Sequence, residues 1–466
     1  MRFSPSALYS SLSSRLERSL HPTQVLVLSF GGAALAGTLL LMTPWASVQR
    51  PLGFVDALFT ATSAVCVTGL VVVDTGSYLS HFGQGVVLAL IQLGGLGIMT
   101  YSSVFLMVLG RRLSFRGQAL IEDTLGRQER ASAHRLVRDV FLFTVAIEAA
   151  GAVVLTAVFA RSRPWADALY HGVFHSVSAF CNAGFSLYAT SFVAYRGDWI
   201  LNGTVIALIV AGGLGFTVLE DLAGAAGSRR AGRPVRLRLH TKVVLTTTGL
   251  LIAGGTLGVW VFESRNALAG LGRGETFLAC LFQSVTPRTA GFNTLDYSNL
   301  TNTTLFFSIL LMFIGASPGS CGGGIKTSTF AVVAALFRDR VLARHRVHLF
   351  RRTLPEETVA RSVAILLASF AFVTLVTFAL LASEIGPVPH RQGGGTFLEY
   401  FFEVVSAFGT VGLSTGVTAS LSTFGKLLIT FVMFVGRLGP LTMAMAIGKK
   451  PGRGKYQFAE ESLMVG

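Results

Sequence analysis

Charge is scarce in this chain: only 13% of its 466 residues are Asp, Glu, Lys or Arg, whereas 52% are apolar and the mean hydropathy is +0.62. Soluble globular domains carry about 25% charged residues, so that class is excluded. Cysteine is scarce too. Cys66, Cys181, Cys280 and Cys321 lie in apolar or glycine-rich stretches with no CxxC pairing, which excludes a disulfide or zinc framework. No HExxH phrase occurs and the nine His are dispersed, which argues against a membrane-embedded enzyme. The N-terminus lacks the n-region, apolar core and small-residue cleavage site of a signal peptide, so the first apolar span is expected to be retained.

Acidic residues are also few, 23 against 38 basic ones, leaving a net charge of +15. A basic surplus can signal nucleic acid, but its placement argues otherwise. Of the 38 Lys and Arg, 27 fall in five places: Arg2, Arg15 and Arg18; residues 111–138; 229–242; 338–361; and the tail Lys449, Lys450, Arg453 and Lys455. Apolar spans long enough to cross a bilayer fall at about 24–43, 82–109, 139–160, 199–222, 243–262, 303–336, 359–382 and 424–447. Eight crossings put all five basic places on one side, which the positive-inside rule makes cytoplasmic together with both termini. The charge therefore records orientation in a lipid bilayer, and no nucleic-acid partner is expected. The three basic loops could also dock a partner or touch anionic lipid.

One phrase is written four times: Ala64–Leu70, Ala179–Phe185, Thr286–Phe292 and Ala407–Leu413, each ending on glycine plus a large apolar residue, about 110–120 residues apart. Aligned on Gly69, Gly184, Gly291 and Gly412, the agreement extends further. An aromatic or leucine stands ten residues earlier (Phe59, Phe174, Leu281, Phe402), and an acid opens each preceding segment (Asp56, Asp167, Glu275, Glu399). A second glycine motif follows, beginning at Gly94, Gly212, Gly315 and Gly436. Each unit thus predicts span, short helix, loop, span. The short helices, at about 54–65, 166–180, 275–285 and 397–408, are too short to cross and are expected to be re-entrant. Their acidic starts suit the helix dipole, and the partly negative C-terminal ends then face the loops. The expected architecture is all-α integral membrane, with eight transmembrane helices and four re-entrant pore helices in four pseudo-symmetric repeats around one pore. The expected divisions are 1–23 (cytoplasmic N-terminus), 24–110, 111–222, 223–337 and 338–447 (the repeats), and 448–466 (cytoplasmic tail).

With these four loops, the phrase Gly322-Gly323-Gly324-Ile325-Lys326-Thr327 and Arg437 in the last span, the chain resembles the Trk/Ktr/HKT superfamily of potassium transporters, specifically its KtrB type. The likeness runs from about residue 24 to 447. The TrkH-type relatives carry two further N-terminal spans, for which there is no room before residue 24. The resemblance implies a potassium-conducting subunit of the cell (inner) membrane, with K+ as cargo and sodium dependence. It also implies a homodimer over a cytoplasmic nucleotide-binding ring of KtrA type, with no nucleotide site in this chain.

The resemblance places a selectivity filter at Val67-Thr68-Gly69, Asn182-Ala183-Gly184, Thr289-Ala290-Gly291 and Thr410-Val411-Gly412. Glycine permits backbone angles that turn carbonyls toward an ion, and in the family glycine at all four places accompanies potassium preference. The loop flanks differ, so backbone rather than side chains must carry coordination. Arg288, unexpected beside a cation path, is expected to point away from it. Gly315, Ser317, Pro318, Gly319, Gly322, Gly323 and Gly324 form a stretch too rich in glycine and proline for a helix. By resemblance it is a gate loop in the sixth span. Arg437 and Lys326 are charges at membrane depth and need partners; Arg437 is expected to bond gate-loop carbonyls and raise a positive barrier, and for Lys326 the alternative is to snorkel from the cytoplasmic end. Glu148 is expected to pair between helices. Asp74 and Asp296, each five residues past a loop glycine, would draw cations to the outer mouth or simply cap turns. Alternatives left open are a TrkH-like or less selective K+/Na+ transporter and an alternating-access carrier, which typically has two repeats.

Overall fold

The computed structural model describes residues 22–97, 133–232, 234–387, 389 and 396–439. Arg2, Arg15, Arg18, the basic segment 111–132, the span ends 98–109 and 440–447 and the tail lie outside the described residues.

Four long helices are apolar enough to cross a bilayer unaided: α1 (Pro22–Leu41), α4 (Ala133–Phe159), α8 (Leu239–Glu263) and α12 (Glu356–Glu384). Their starts follow from sequence: Pro22 needs no amide partner at the first position of α1, and Glu356 and Glu357 open α12 at the positive end of its dipole. With 20–29 residues they measure about 30–44 Å at 1.5 Å per residue, matching a hydrocarbon core about 30 Å thick. Their outer faces stay apolar and uncovered, as at Leu28, Val153, Leu250, Leu375 and Phe378, the last 73% exposed. Lipid is the solvent such a surface requires.

Each long helix is followed by a short one with an acid in its first turn: α2 (Phe54–Val65; Asp56), α5 (Trp165–Phe180; Asp167), α9 (Arg273–Val285; Glu275) and α13 (Thr396–Gly409; Glu399). Three of these acids hold a basic partner, Lys426 with Asp56 at 2.8 Å, Arg163 with Asp167 at 2.7 Å and Arg196 with Glu275 at 2.7 Å. A third helix follows in every set: α3 (His81–Gly95), α6 (Trp199–Leu214), α10 (Asn302–Phe313) and α14 (Thr423–Leu438). All four begin at a polar cap, Ser80, Asp198, Thr301 or Ser422, whose side chain accepts a first-turn amide.

Within the described residues these third helices hold 12–16 residues, about 18–24 Å; α3, α6 and α14 stop inside the second glycine motif and α10 just before it. The expected single span 199–222 is corrected: it breaks at Gly215, φ 91°, and α7 (Phe216–Arg230) leaves at 104° to α6. The span 303–336 opens as expected, between α10 and α11 (Thr327–Val341). The break at Gly215 is imposed from afar. A Cβ there would lie 2.6 Å from the carbonyl oxygen of Pro318, and the Phe216 amide donates to Gly319 O at 3.2 Å.

The sets close into a ring. Each third helix packs on the short helix of the next set: α3 on α5, α6 on α9, α10 on α13, and α14 back on α2. Two large apolar cores result, one mainly from the first two sets and one mainly from the last two, and a small third forms around Leu214, Val218 and Val244. Outside the helices lies a small hairpin, β1 (His348–Leu349) and β2 (Arg352–Thr353), turned by Phe350 and Arg351 with φ 46° and 61°. That is the left-handed pair a two-residue hairpin turn demands.

Candidate functional site

Each short helix runs directly into its glycine loop, and the four loops adopt one backbone. The residue two before the glycine is left-handed in every case: Val67 (φ 55°), Asn182 (59°), Thr289 (68°) and Thr410 (49°). The glycines follow suit: Gly69 (91°), Gly184 (70°), Gly291 (78°) and Gly412 (88°), with an ordinary residue between. Alternating the sign of φ turns successive carbonyls to a common side, the arrangement of carbonyl-lined filters. A left-handed non-glycine residue costs on the order of 1–3 kcal/mol and persists only where its surroundings over-determine it. Four copies at matched positions show that they do.

The loop amides are consumed by the helices they extend. Thr68 N, Ala183 N and Val411 N donate to Ser63 O, Ser178 O and Ser406 O at 2.8 Å, and Ala290 N to Thr286 O at 3.0 Å. Hydroxyls fasten the exits of three loops, Ser63 to Leu70 O (2.7 Å), Ser178 to Phe185 O (2.8 Å) and Thr286 to Phe292 O. Among the described residues, no hydrogen bond reaches the carbonyls of Thr68, Ala183, Ala290 or Val411. Each of those oxygens lies against the glycine of a neighbouring loop.

The glycines meet around one axis. A Cβ on Gly69 would stand 3.1 Å from Gly184 Cα, one on Gly184 2.8 Å from Gly291 Cα, one on Gly291 3.4 Å from Gly412 Cα, and one on Gly412 3.0 Å from Gly69 Cα. Each would also press on a carbonyl of the neighbouring loop: Ala183, Ala290, Val411 or Thr68. Glycine is therefore required twice over, by its left-handed angle and by the absence of room. The second motif serves the same closeness: Cβ atoms on Gly94, Gly212 and Gly436 would fall on the carbonyls ending α2, α5 and α13, those of Val65, Phe180 and Phe408.

Directly against the ring lies loop 314–326. A Cβ on Gly322 would strike Thr289 Oγ1, and the Gly323 amide donates to Thr410 Oγ1 at 3.0 Å. The loop is pinned to several neighbours. Ser317 N and Cys321 N donate to Gly213 O (3.0 Å) and Gly212 O (3.2 Å), Cys321 Sγ to Gly95 O (2.9 Å), and Gly315 N to Ile325 O (2.9 Å). Thr327 Oγ1 donates to Ser317 Oγ at 3.0 Å. Arg437, 7% exposed, donates from Nη1 to Cys321 O and from Nη2 to Gly94 O. Lys326 caps α11 and folds back so that Nζ reaches Gly322 O at 2.5 Å. Both cations thus find carbonyl rather than carboxylate partners, Arg437 joining this loop to the end of α3 and Lys326 closing the loop on itself.

Arg288 turns away from the glycine ring into protein, its Nη2 donating to Thr248 Oγ1 of α8 at 3.3 Å. Glu148 of α4 accepts from Gln92 Nε2 of α3 at 3.0 Å. The two mouth acids are occupied locally. Asp74 accepts the Ser77 amide (2.8 Å) and hydroxyl (2.5 Å), and Asp296 the Ser298 amide (3.0 Å) and Asn299 Nδ2 (3.1 Å). Both cap turns beside their loops, and Asp296 is exposed.

Sequence reasoning missed the side chains two before the glycines. Asn182, with its amide oriented by its surroundings, donates to Phe180 O (3.0 Å) and Ile209 O (3.3 Å) and accepts from Thr289 Oγ1 (3.3 Å). With Thr289 and Thr410 it forms a polar floor beneath the ring, while Val67 breaks the symmetry. The signal was present as three polar residues at one aligned position.

Comparison with known proteins followed the same lines. A family model described as TrkH, cation transport protein, matches residues 3–456. The chain is 40% identical over 445 residues to the Ktr system potassium uptake protein B of Vibrio alginolyticus, covering 95% of this chain and 94% of that protein. It is 39% identical over 430 residues to the Bacillus subtilis (strain 168) protein of the same name, covering 92% and 93%. It is also 36% identical over 459 residues to the potassium/sodium uptake protein NtpJ of Enterococcus hirae, covering 97% and 99%. Its fold is similar to that of the crystal structure of the potassium transporter TrkH from Vibrio parahaemolyticus, with a TM-score of 0.69 at 19% identity over 91% of this chain and 84% of that one.

Proposed function

Because the chain belongs to the TrkH family of cation transport proteins, we propose that it is the ion-conducting membrane subunit of a potassium uptake system. It is a multi-pass, predominantly helical membrane protein. The observation that carries the reading is the closed ring of Gly69, Gly184, Gly291 and Gly412, with one backbone conformation repeated four times. Carbonyls held on such a ring replace the water around a dehydrating cation, and their number and spacing set which cation is accepted.

In this reading Val67–Gly69, Asn182–Gly184, Thr289–Gly291 and Thr410–Gly412 form the selectivity filter within four pseudo-symmetric repeats (24–110, 111–222, 223–337 and 338–447). Gly315, Ser317, Pro318, Gly319, Gly322, Gly323 and Gly324 form the gate. Arg437 and Lys326 tie that gate shut and set a positive barrier under the filter. Asp74 and Asp296, held by turn caps, lend negative potential to the outer mouth. The protein sits in the cell membrane with both termini in the cytoplasm, pairs as a homodimer, and is regulated by a nucleotide-binding ring docked on its basic face. Sodium supports uptake. The relative named for both potassium and sodium favours one second reading, a less selective K+/Na+ transporter.

The test is growth of potassium-uptake-deficient cells at low external potassium, with and without sodium and with a regulatory subunit co-expressed. Rescue is expected; no rescue under any of these conditions overturns the reading. Equal rescue of potassium and sodium transport selects the less selective alternative.

A further inference from the structure

Loops two and four lie diagonally across the ring, because Gly184 and Gly412 each neighbour Gly69 and Gly291. They also share a device that loops one and three lack. Nine residues before the glycine each carries a fully buried ionisable side chain, His175 or Glu403, and two residues after it a serine, Ser186 or Ser414. His175 Nδ1 donates to His171 O at 2.8 Å, which leaves Nε2 as an acceptor, and Nε2 takes the Leu187 amide at 3.3 Å and Ser186 Oγ at 3.2 Å. Glu403 accepts the Ser414 hydroxyl on Oε1 and the Thr418 hydroxyl on Oε2, the latter at 2.9 Å. The serines repeat the match. Ser186 Oγ takes the amide of Tyr188 (3.0 Å) and Ser414 Oγ that of Gly416 (2.9 Å).

The corresponding pairs elsewhere are Thr60 with Val71 and Phe282 with Asn293. Thr60 bonds its own helix at Asp56 O (2.8 Å), and Asn293 Nδ2 bonds Leu295 O (3.0 Å). Neither pair bridges helix to loop exit.

We propose that His175–Ser186 and Glu403–Ser414 are positioning clamps on two opposite walls of the ion path. They hold the outer ends of the second and fourth loops at the separation that discriminates potassium from sodium. A buried polar group is costly unless bonded, so two such groups at matched sites, both satisfied by the segment leaving the ring, hold that segment to a single course. The clamps touch the loop exits and not the ion. Loops one and three keep hydroxyl ties at their exits, Ser63 to Leu70 O and Thr286 to Phe292 O, and loop three a bond from Gln283 Nε2 to Leu295 O, but carry no buried ionisable side chain bonded to a serine past the glycine.

This inference rests on the pore reading above. It is tested on the full-length protein purified into proteoliposomes, with potassium and sodium flux measured alongside monodispersity in detergent. Glu403→Ala is expected to lower the potassium-to-sodium ratio about fivefold, within the range one buried hydrogen bond commands. Glu403→Gln, which keeps an acceptor and the shape, should stay within about twofold of the parent. Where Glu403→Ala does not fold, Ser414→Ala and Thr418→Val carry the same expectation. A well-folded alanine variant with the parental ratio overturns the clamp, as does a glutamine variant as impaired as the alanine one. Gly291→Ser in the same assay separates the two levels of argument. If it alters the ratio while the clamp variants do not, only the clamp falls. If nothing alters the ratio, the pore reading falls and the clamp with it.

Discussion

The glycine ring and the loop packed against it are both irregular, glycine-rich backbone, yet they are held in opposite ways. Each ring loop is a continuation of its own helix, with its amides bonded a few residues back and its glycine wedged against the next loop. Loop 314–326 exists once, and much of its support comes from other parts of the chain: Gly95, Gly212, Gly213, Thr410 and Arg437. Local, repeated restraint makes a rigid frame. Restraint borrowed from neighbours can be released when they move, which suits a gate.

The sharpest way to break this comparison is to strike the ring. Gly412→Ala meets a left-handed angle and the Thr68 carbonyl together. Strain on the order of 1–3 kcal/mol before any clash is expected to cut selective potassium uptake at least tenfold, read as rubidium flux in proteoliposomes. Retained selective uptake would mean the ring is less constrained than the loop.

Arg437→Ala comes next. It removes two charge-assisted bonds from the loop and α3, each worth about 1.5–3 kcal/mol, and should raise flux several-fold and weaken regulation. Arg437→Lys is expected to recover little, since an ammonium lacks the planar fork that spans two carbonyls. Flux unchanged in rate and regulation would remove Arg437 from the gate.

Thr410→Val probes the seam between the two regions, deleting the acceptor for Gly323 N. One bond of about 1 kcal/mol predicts a several-fold change in opening with selectivity kept. An altered potassium-to-sodium ratio instead would mean that the Thr410 hydroxyl supports the ring as well as the loop.

The smallest effect belongs to Asp339, at the end of α11 and outside the spans. The His348 amide at 2.7 Å, with Arg338 and Arg344 beside it, holds its carboxyl below the usual range. A lowered value means the stabilisation is present above the free carboxyl's pH of about 4 and is lost as pH falls through the folded value. Hydrogen exchange at His348 should therefore quicken on acidification and in Asp339→Asn, with potassium flux near normal. Protection that does not depend on pH would discount the carboxylate.

The four loops were legible because their phrase recurs, and a local signal repeated is hard to mistake. The short helices were legible too, within two residues at each end, since their acids and apolar runs are local. The break at Gly215 was not. Phe216, Val218 and Leu219 continue the apolar run and no proline follows before residue 222, and what turns the chain there is a carbonyl contributed by Pro318, a hundred residues on. Left-handed Val67 was equally hidden, because a β-branched side chain argues against that angle and only the closed ring imposes it. Arg437 was anticipated as a donor to the loop, but its second partner, Gly94 O, belongs to the opposite end of the sequence.

Closure between the last set and the first has a consequence for biogenesis. Gly412 must reach Gly69, α14 must settle on α2, and Lys426 must find Asp56 across 370 residues. Three-quarters of the polypeptide can therefore enter the bilayer with its ring still open on one side. The conduit comes into being only when the ribosome has delivered the final set, so a growing or truncated chain has no finished passage through which the cell could lose its ionic gradients.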